Sequence, residues 1–203
     1  MTPVKIRNFY FQRFFEKLKR TKSFISKIFY NSPIYGKLNF DEKINHTEIV
    51  MPNLWEGDIE RIKNFLKNKV QDIKKINNPF FFYFHSFNFL NDLQEISKET
   101  LRIHGRKLTS YWINKNNSWK SNTWNDFILA TRICNWLKNY NLFFSSADEK
   151  FKKNMFNSIL KQIEHLVKNF SNLKRNSDLI RIIKALIYVS ITIPNKKYYY
   201  QIA

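Results

Sequence analysis

Between Thr123 and Tyr140 the chain reads TWNDFILATRICNWLKNY, and several of those side chains could together hold a sugar. Trp124 offers a flat apolar face on which a pyranose ring stacks, Asn125 and Asn135 offer amides for hydroxyl groups, and Arg132 offers a fork of donors for a carboxylate or sulfate. Turning about 100° per residue sorts the run into two arcs. Phe127, Ala130, Ile133, Cys134, Leu137 and Tyr140 share an apolar arc, with Leu129 and Trp136 at its margin. Asn125, Thr131, Arg132, Asn135, Lys138 and Asn139 share the opposite one, and Trp124 and Ile128 fall among them. A tryptophan and an isoleucine amid polar groups are costly on an ordinary solvent face, so this second arc is expected to line a saccharide cleft on the concave side of a helical array. The competing expectation is structural: Trp124 packs on the preceding loop, and Arg132 is enclosed and paired with a carboxylate.

Two further candidates, His85 and Asn88, lie in the aromatic stretch FHSFNFL. The other histidines, His46, His104 and His165, form no H-E-x-x-H pair with it or with one another, and no glycine-rich phosphate loop occurs. Neither a metal nor a nucleotide cofactor is therefore expected. Cys134 is the only cysteine, which excludes an internal disulfide and a zinc finger, and its place in the apolar arc predicts a packed thiol rather than a nucleophile. The run Tyr198, Tyr199 and Tyr200 is near the end of the sequence and reads as frayed rather than catalytic.

Helices must position these groups. Ile59, Ile62, Phe65, Leu66, Val70 and Ile73 recur at helical spacing, and four further helical patterns cover about 93–111, 124–143, 151–170 and 178–193. Thr123 with Asp126 three residues on reads as a capping box for the second of those four. The last is apolar nearly all round up to Pro194, which predicts enclosure by neighbours on most sides. PFFFYFHSFNFL, Pro79 to Leu90, shows no helical period and reads as a short strand or a buried extended segment. Short polar loops predict antiparallel helical hairpins. The fold class is all-α, and little chain after the last helix remains to cover it, so the architecture reads as incomplete at the C-terminus. Residues 1–40 form a basic amphipathic extension to a helical domain over 41–203.

With 35 basic and 16 acidic residues the chain carries +19, which points to an anionic partner: nucleic acid, a membrane surface or an acidic polysaccharide. A coding sequence rich in A and T is the bland source of the same lysines. No apolar run is long enough to span a bilayer, and the opening MTPVKIRNFYFQRFF lacks a signal peptide's apolar block, so a cytoplasmic location is the default.

TWNDFILATRICNWLKNY resembles a toroid helix of heparinase II/III-type polysaccharide lyases, in which a Trp, an Arg followed by an aliphatic residue, and Asn-Trp recur. Trp124, Arg132, Ile133, Asn135 and Trp136 fill those places, while Asn125 and Asp126 stand where Pro and an aromatic are usual. In the same order, SPIYGK, PNLWEGD, FHSFNFLNDL and ILKQIEHLVKNF with IKALIYVSI resemble other stretches of bacterial members. NSDL, Asn176 to Leu179, departs from a Gly-Asn-His-Leu stretch common in the family and lacks its histidine.

The resemblance implies part of an α/α toroid, a lineage that cleaves uronate-containing polysaccharide by β-elimination, and substrate contacts at Trp124, Asn125, Arg132, Asn135, His85 and Asn88. It also implies a periplasmic setting as the alternative to the cytoplasm. As an isolated chain the protein is expected to be inactive. The alternative function is a non-enzymatic basic helical protein that binds nucleic acid or an anionic membrane surface, although no specific nucleic-acid motif supports it.

Overall fold

A computed structural model describes residues 56–68, 78–120, 122–144, 146–170 and 177–193. The basic segment before residue 41, His46, most of PNLWEGD, Val70, Ile73, Asn176 and the Tyr198–Tyr200 run lie outside the described residues. The chain divides into two units, Met1–Asn39 with Ser118–Lys120 and Phe40–Asn117 with Ser121–Ala203, and every helix below belongs to the second. Among the described residues all regular structure is helical.

Helix α1, Ile59–Lys67, begins where the Asp58 carboxylate accepts a hydrogen bond from the Arg61 amide at 2.8 Å, and it buries Ile62 and Phe65 one turn apart. It packs on α3, Phe89–Ile96. The approach is tight just before α1, because a Cβ on Gly57 would stand 2.8 Å from the Asn91 carbonyl oxygen and 2.9 Å from Asp92 Cα. Only glycine lets the chain come that close. The buried Asp92 carboxylate then accepts from the Asp58 amide at 3.0 Å and the Tyr83 hydroxyl at 2.6 Å.

The aromatic stretch that reads as a strand is two helices, α2 at Phe81–His85 and α3. Phe81, Phe84, His85 and Phe89 do recur at helical intervals, but Phe82, Tyr83 and Phe87 between them hide the period. Packing then overrides the β preference of aromatic residues. The two helices part at Phe87, which is left-handed with φ 61°. That conformation is costly for a bulky side chain, by roughly 1–3 kcal/mol. Its ring is fully buried, 4.9 Å from the Trp136 ring and 5.6 Å from that of Trp112, and this packing holds it in place.

Helix α4, Lys98–Asn116, starts separately from α3 because Ser97 is extended and its hydroxyl caps the Thr100 amide at 3.0 Å. Helix α5, Asp126–Lys138, is capped by Asn125, whose side-chain oxygen accepts from the Phe127 amide at 3.1 Å; the expected Thr123–Asp126 capping box is not the one used. A five-residue π turn, Tyr140–Phe144, follows α5, and two arginines of α4 cover its carbonyls: Arg102 Nε donates to Leu142 and Arg106 Nε to Phe143. Helices α6, Glu149–Phe170, and α7, Ser177–Thr192, match their sequence patterns closely.

Helix α7 is not enclosed on most sides. Ile182, Ala185, Leu186 and Val189 are buried, whereas Ile180 is 71% exposed and Ile191 43%. Its buried stripe packs on α5, and α5 in turn also packs on α2 and α6, which makes α5 the centre of the described structure. No described helix is long and apolar enough to cross a membrane.

Candidate functional site

Part of the polar arc of α5 faces inward: Arg132, Asn135 and Asn139 are buried, whereas Thr131 and Lys138 are half-buried and Asn125 is exposed. Helix α2 ends at His85, and the carbonyls at a helix C-terminus have no partner within the helix. The left-handed Phe87 turns the chain away at once, so the His85 and Ser86 carbonyls need donors from elsewhere. Arg132 Nη1 donates to the His85 carbonyl at 2.8 Å, and Asn135 Nδ2 donates to the Ser86 carbonyl at 2.9 Å. Two residues one turn apart on α5 thus cap a helix that lies almost fifty positions earlier.

Arg132 is fully buried, the largest non-aromatic side chain to be so among the described residues. Nη1 also donates to the Thr123 carbonyl at 3.0 Å, and Nε donates to Gln162 Oε1 on α6. The guanidinium lies 4.2 Å from the Trp112 ring centroid and 5.9 Å from that of Trp136. The carboxylate expected of an enclosed Arg132 is not among these partners. Carbonyl dipoles, an amide and two indole faces take its place, and cation–π attraction strengthens where water is excluded. Burial pulls the Arg132 pKa well below its ordinary value, yet the delocalised cation keeps its proton across the ordinary pH range.

Asn135 extends the network toward the surface. Its Nδ2 also meets Asn88 Oδ1 at 2.8 Å, and its Oδ1 accepts from Asn91 Nδ2 at 3.2 Å. Asn91 Oδ1 then accepts from Lys138 Nζ at 3.1 Å. Lys138 is half-buried, and desolvation, followed by the charge of Lys184, lowers its pKa.

His85 is 1% exposed and accepts from Trp112 Nε1 at its Nδ1, at 2.9 Å. That bond places the proton of the neutral ring on Nε2.

His85, Asn88, Arg132 and Asn135 therefore converge where α2, α3 and α5 meet. Trp124 is not part of this cluster. It is 2% exposed, its Nε1 donates to the Asn116 carbonyl at 2.8 Å, and its ring stands edge-on to His165. Trp124 is thus packed, through contacts with the end of α4 and with α6. Asn125 is exposed and serves as the cap of α5.

The expectation of an open concave face bearing Trp124, Arg132 and Asn135 is corrected by their burial at 2%, 0% and 7%. Cys134 lies on the other side of α5 as a buried thiol, pushed up by desolvation to about 12, in line with a packed rather than a nucleophilic role.

No family model, curated protein or solved structure matches the chain.

Two residues essential to the cluster were not singled out from sequence. Gln162 is fully buried between Ile159 and Ile163, and an uncharged polar side chain at a core position of so regular a helix is the signal that could have found it. Trp112 gave only a weaker sign, one more tryptophan on an amphipathic helix.

Proposed function

We propose that the chain is part of an α/α toroid of the heparinase II/III type, built of antiparallel helical hairpins, and that it holds acidic polysaccharide without cleaving it. One observation carries the reading. FHSFNFLNDL, TWNDFILATRICNW and ILKQIEHLVKNF, three of the segments that resemble the family, meet through the Arg132 side chain, which bonds His85, Thr123 and Gln162. Segments far apart in sequence that share a resemblance and also share one buried junction fit a common scaffold.

The same junction argues against cleavage by the motif residues. β-Elimination needs a group that neutralises the uronate carboxylate and a base that reaches the neighbouring proton. Arg132 is fully buried with Nε and Nη1 spent on protein acceptors, and the Nδ1 of His85 holds an indole N–H. Binding then falls to the exposed cations of a chain that carries +19.

The full chain should bind heparan sulfate, hyaluronan or alginate with an affinity that falls as salt rises, and should produce no 4,5-unsaturated uronate absorbance. Formation of that chromophore would overturn the non-cleaving reading. Equal or tighter binding of nucleic acid or anionic vesicles at matched ionic strength would replace it with a general basic binding protein.

A further inference from the structure

A second place in the molecule has the chemistry that the buried arc lacks. Between α4 and the first turns of α6 lies a pocket of about 420 Å3, within the usual size range for small-ligand sites. Arg106, Lys107, Ser110 and Asn114 reach it from one face of α4, and Lys150 and Asn154 from α6. Ile113 and the largely buried Phe151 form its apolar floor.

The lining carries three cations against one carboxylate, Asp148, and that carboxylate already caps α6 by accepting from the Phe151 amide at 2.9 Å. Arg106 is oriented by two bonds of 2.7 Å, Nε to the Phe143 carbonyl and Nη2 to Ser146 Oγ. A guanidinium has five N–H donors, so the remaining ones are free to meet an anion from a head group already fixed in place. Lys107 and Lys150 are exposed and make no ion pair among the described residues.

We infer that this pocket binds a single anionic, hydroxyl-bearing sugar ring: Arg106, Lys107 and Lys150 take the carboxylate or sulfate, and Ser110, Asn114 and Asn154 take the hydroxyls. The mixture of a fixed fork donor, mobile ammonium groups, short amides and a small apolar floor suits a compact polyol acid. A nucleotide fits less well, because base recognition wants an exposed aromatic face and Phe151 presents 9% of its surface. The inference rests on the acidic-saccharide reading for the identity of its ligand, and on the pocket itself for the place. The ring could come as a free sugar acid or as one residue of a polymer.

Titrations of the full chain with glucuronic acid, glucose and a heparan sulfate tetrasaccharide test it, alongside Lys107→Ala/Lys150→Ala and Ser110→Leu. Both lysines are exposed, so thermal melts of the double variant should match the wild type. Glucuronic acid should bind in preference to glucose, and the double variant should lose about tenfold or more in affinity, as expected for one or more charge-assisted hydrogen bonds. Ser110→Leu should weaken binding by obstructing the pocket. Wild-type affinity in both variants would overturn the pocket while leaving polysaccharide binding elsewhere intact. Binding of glucuronic acid but not the tetrasaccharide would keep the pocket and remove the polysaccharide. Absence of glucuronic acid and tetrasaccharide binding in the wild type would overturn both.

Discussion

Arg132 and Arg106 are both held by backbone carbonyls, and neither is bonded to a carboxylate, yet they do opposite things. Arg132 bridges α2, the loop before α5 and α6 from the interior, with indoles over its plane. Arg106 uses the Phe143 carbonyl and the Ser146 hydroxyl as a mount and lines an open pocket. The difference lies in what surrounds the guanidinium. Where neighbours close over it, Nε and Nη1 turn to protein acceptors and only Nη2 is left without one, because an unpaired buried polar group costs far more than a paired one returns. Where one side stays open, water or a ligand can take the remaining donors.

The sharpest way to break this comparison is to remove each arginine in turn. Arg132→Ala should destabilise the fold by about 3–5 kcal/mol, since it orphans the His85 and Thr123 carbonyls and leaves a cavity against Trp112. A loss under about 1 kcal/mol in denaturant melts would mean that Arg132 braces nothing. Arg132→Lys should recover little, because an ammonium cannot span three acceptors in the guanidinium plane.

Asn135→Ala comes next, at about 2 kcal/mol. It deprives the buried Ser86 carbonyl of its donor at the same junction. Combined with Arg132→Ala, its effect should fall short of the sum, since both cap the end of α2; strict additivity would show that the two bonds do not act as one junction.

A pH titration probes the opposite face of α5. The folded pKa of Cys134 is raised from 9.0 to about 12, so the stability it contributes is complete below pH 9 and is lost as pH rises from 9 toward 12. The expected slope is about 1.4 kcal/mol per pH unit from this group alone, and it should be absent in Cys134→Ala. A thiol reagent that labels the native protein as fast as the unfolded one would contradict the closed interior on which the comparison depends.

The smallest effect is expected at the pocket. Arg106→Ala should cost about 1 kcal/mol or less, because its bonds are part-exposed and solvent can replace them. A penalty as large as that of Arg132 would recast Arg106 as a second brace.

Much of the helical plan was legible. The period from Ile59 to Ile73, as far as Lys67 where it is described, and those at 151–170 and 178–193 became α1, α6 and α7 because apolar side chains at helical spacing must turn to a common core. The α2–α3 pair was hidden because seven of the twelve residues from Pro79 to Leu90 are Phe or Tyr, so that stretch shows no polar side to reveal a period. The Asn125 cap was missed because Thr123, Asn125 and Asp126 all have capping chemistry, and only the backbone of the Thr123–Asn125 loop selects among them.

By itself the sequence determined which side chains of α5 are polar and that they gather on one arc, since that follows from composition and a fixed helical turn. Only the tertiary structure decided that the arc is a second interior face. That outcome depends on α2 ending at His85 with carbonyls left over, on Phe87 taking φ 61° to expose them, and on Trp112 and Gln162 arriving from two other helices. A polar arc on a helix looks the same in sequence whether its donors meet water, a sugar or the orphaned end of another helix; the partner that lowers the free energy comes from contacts about fifty residues away.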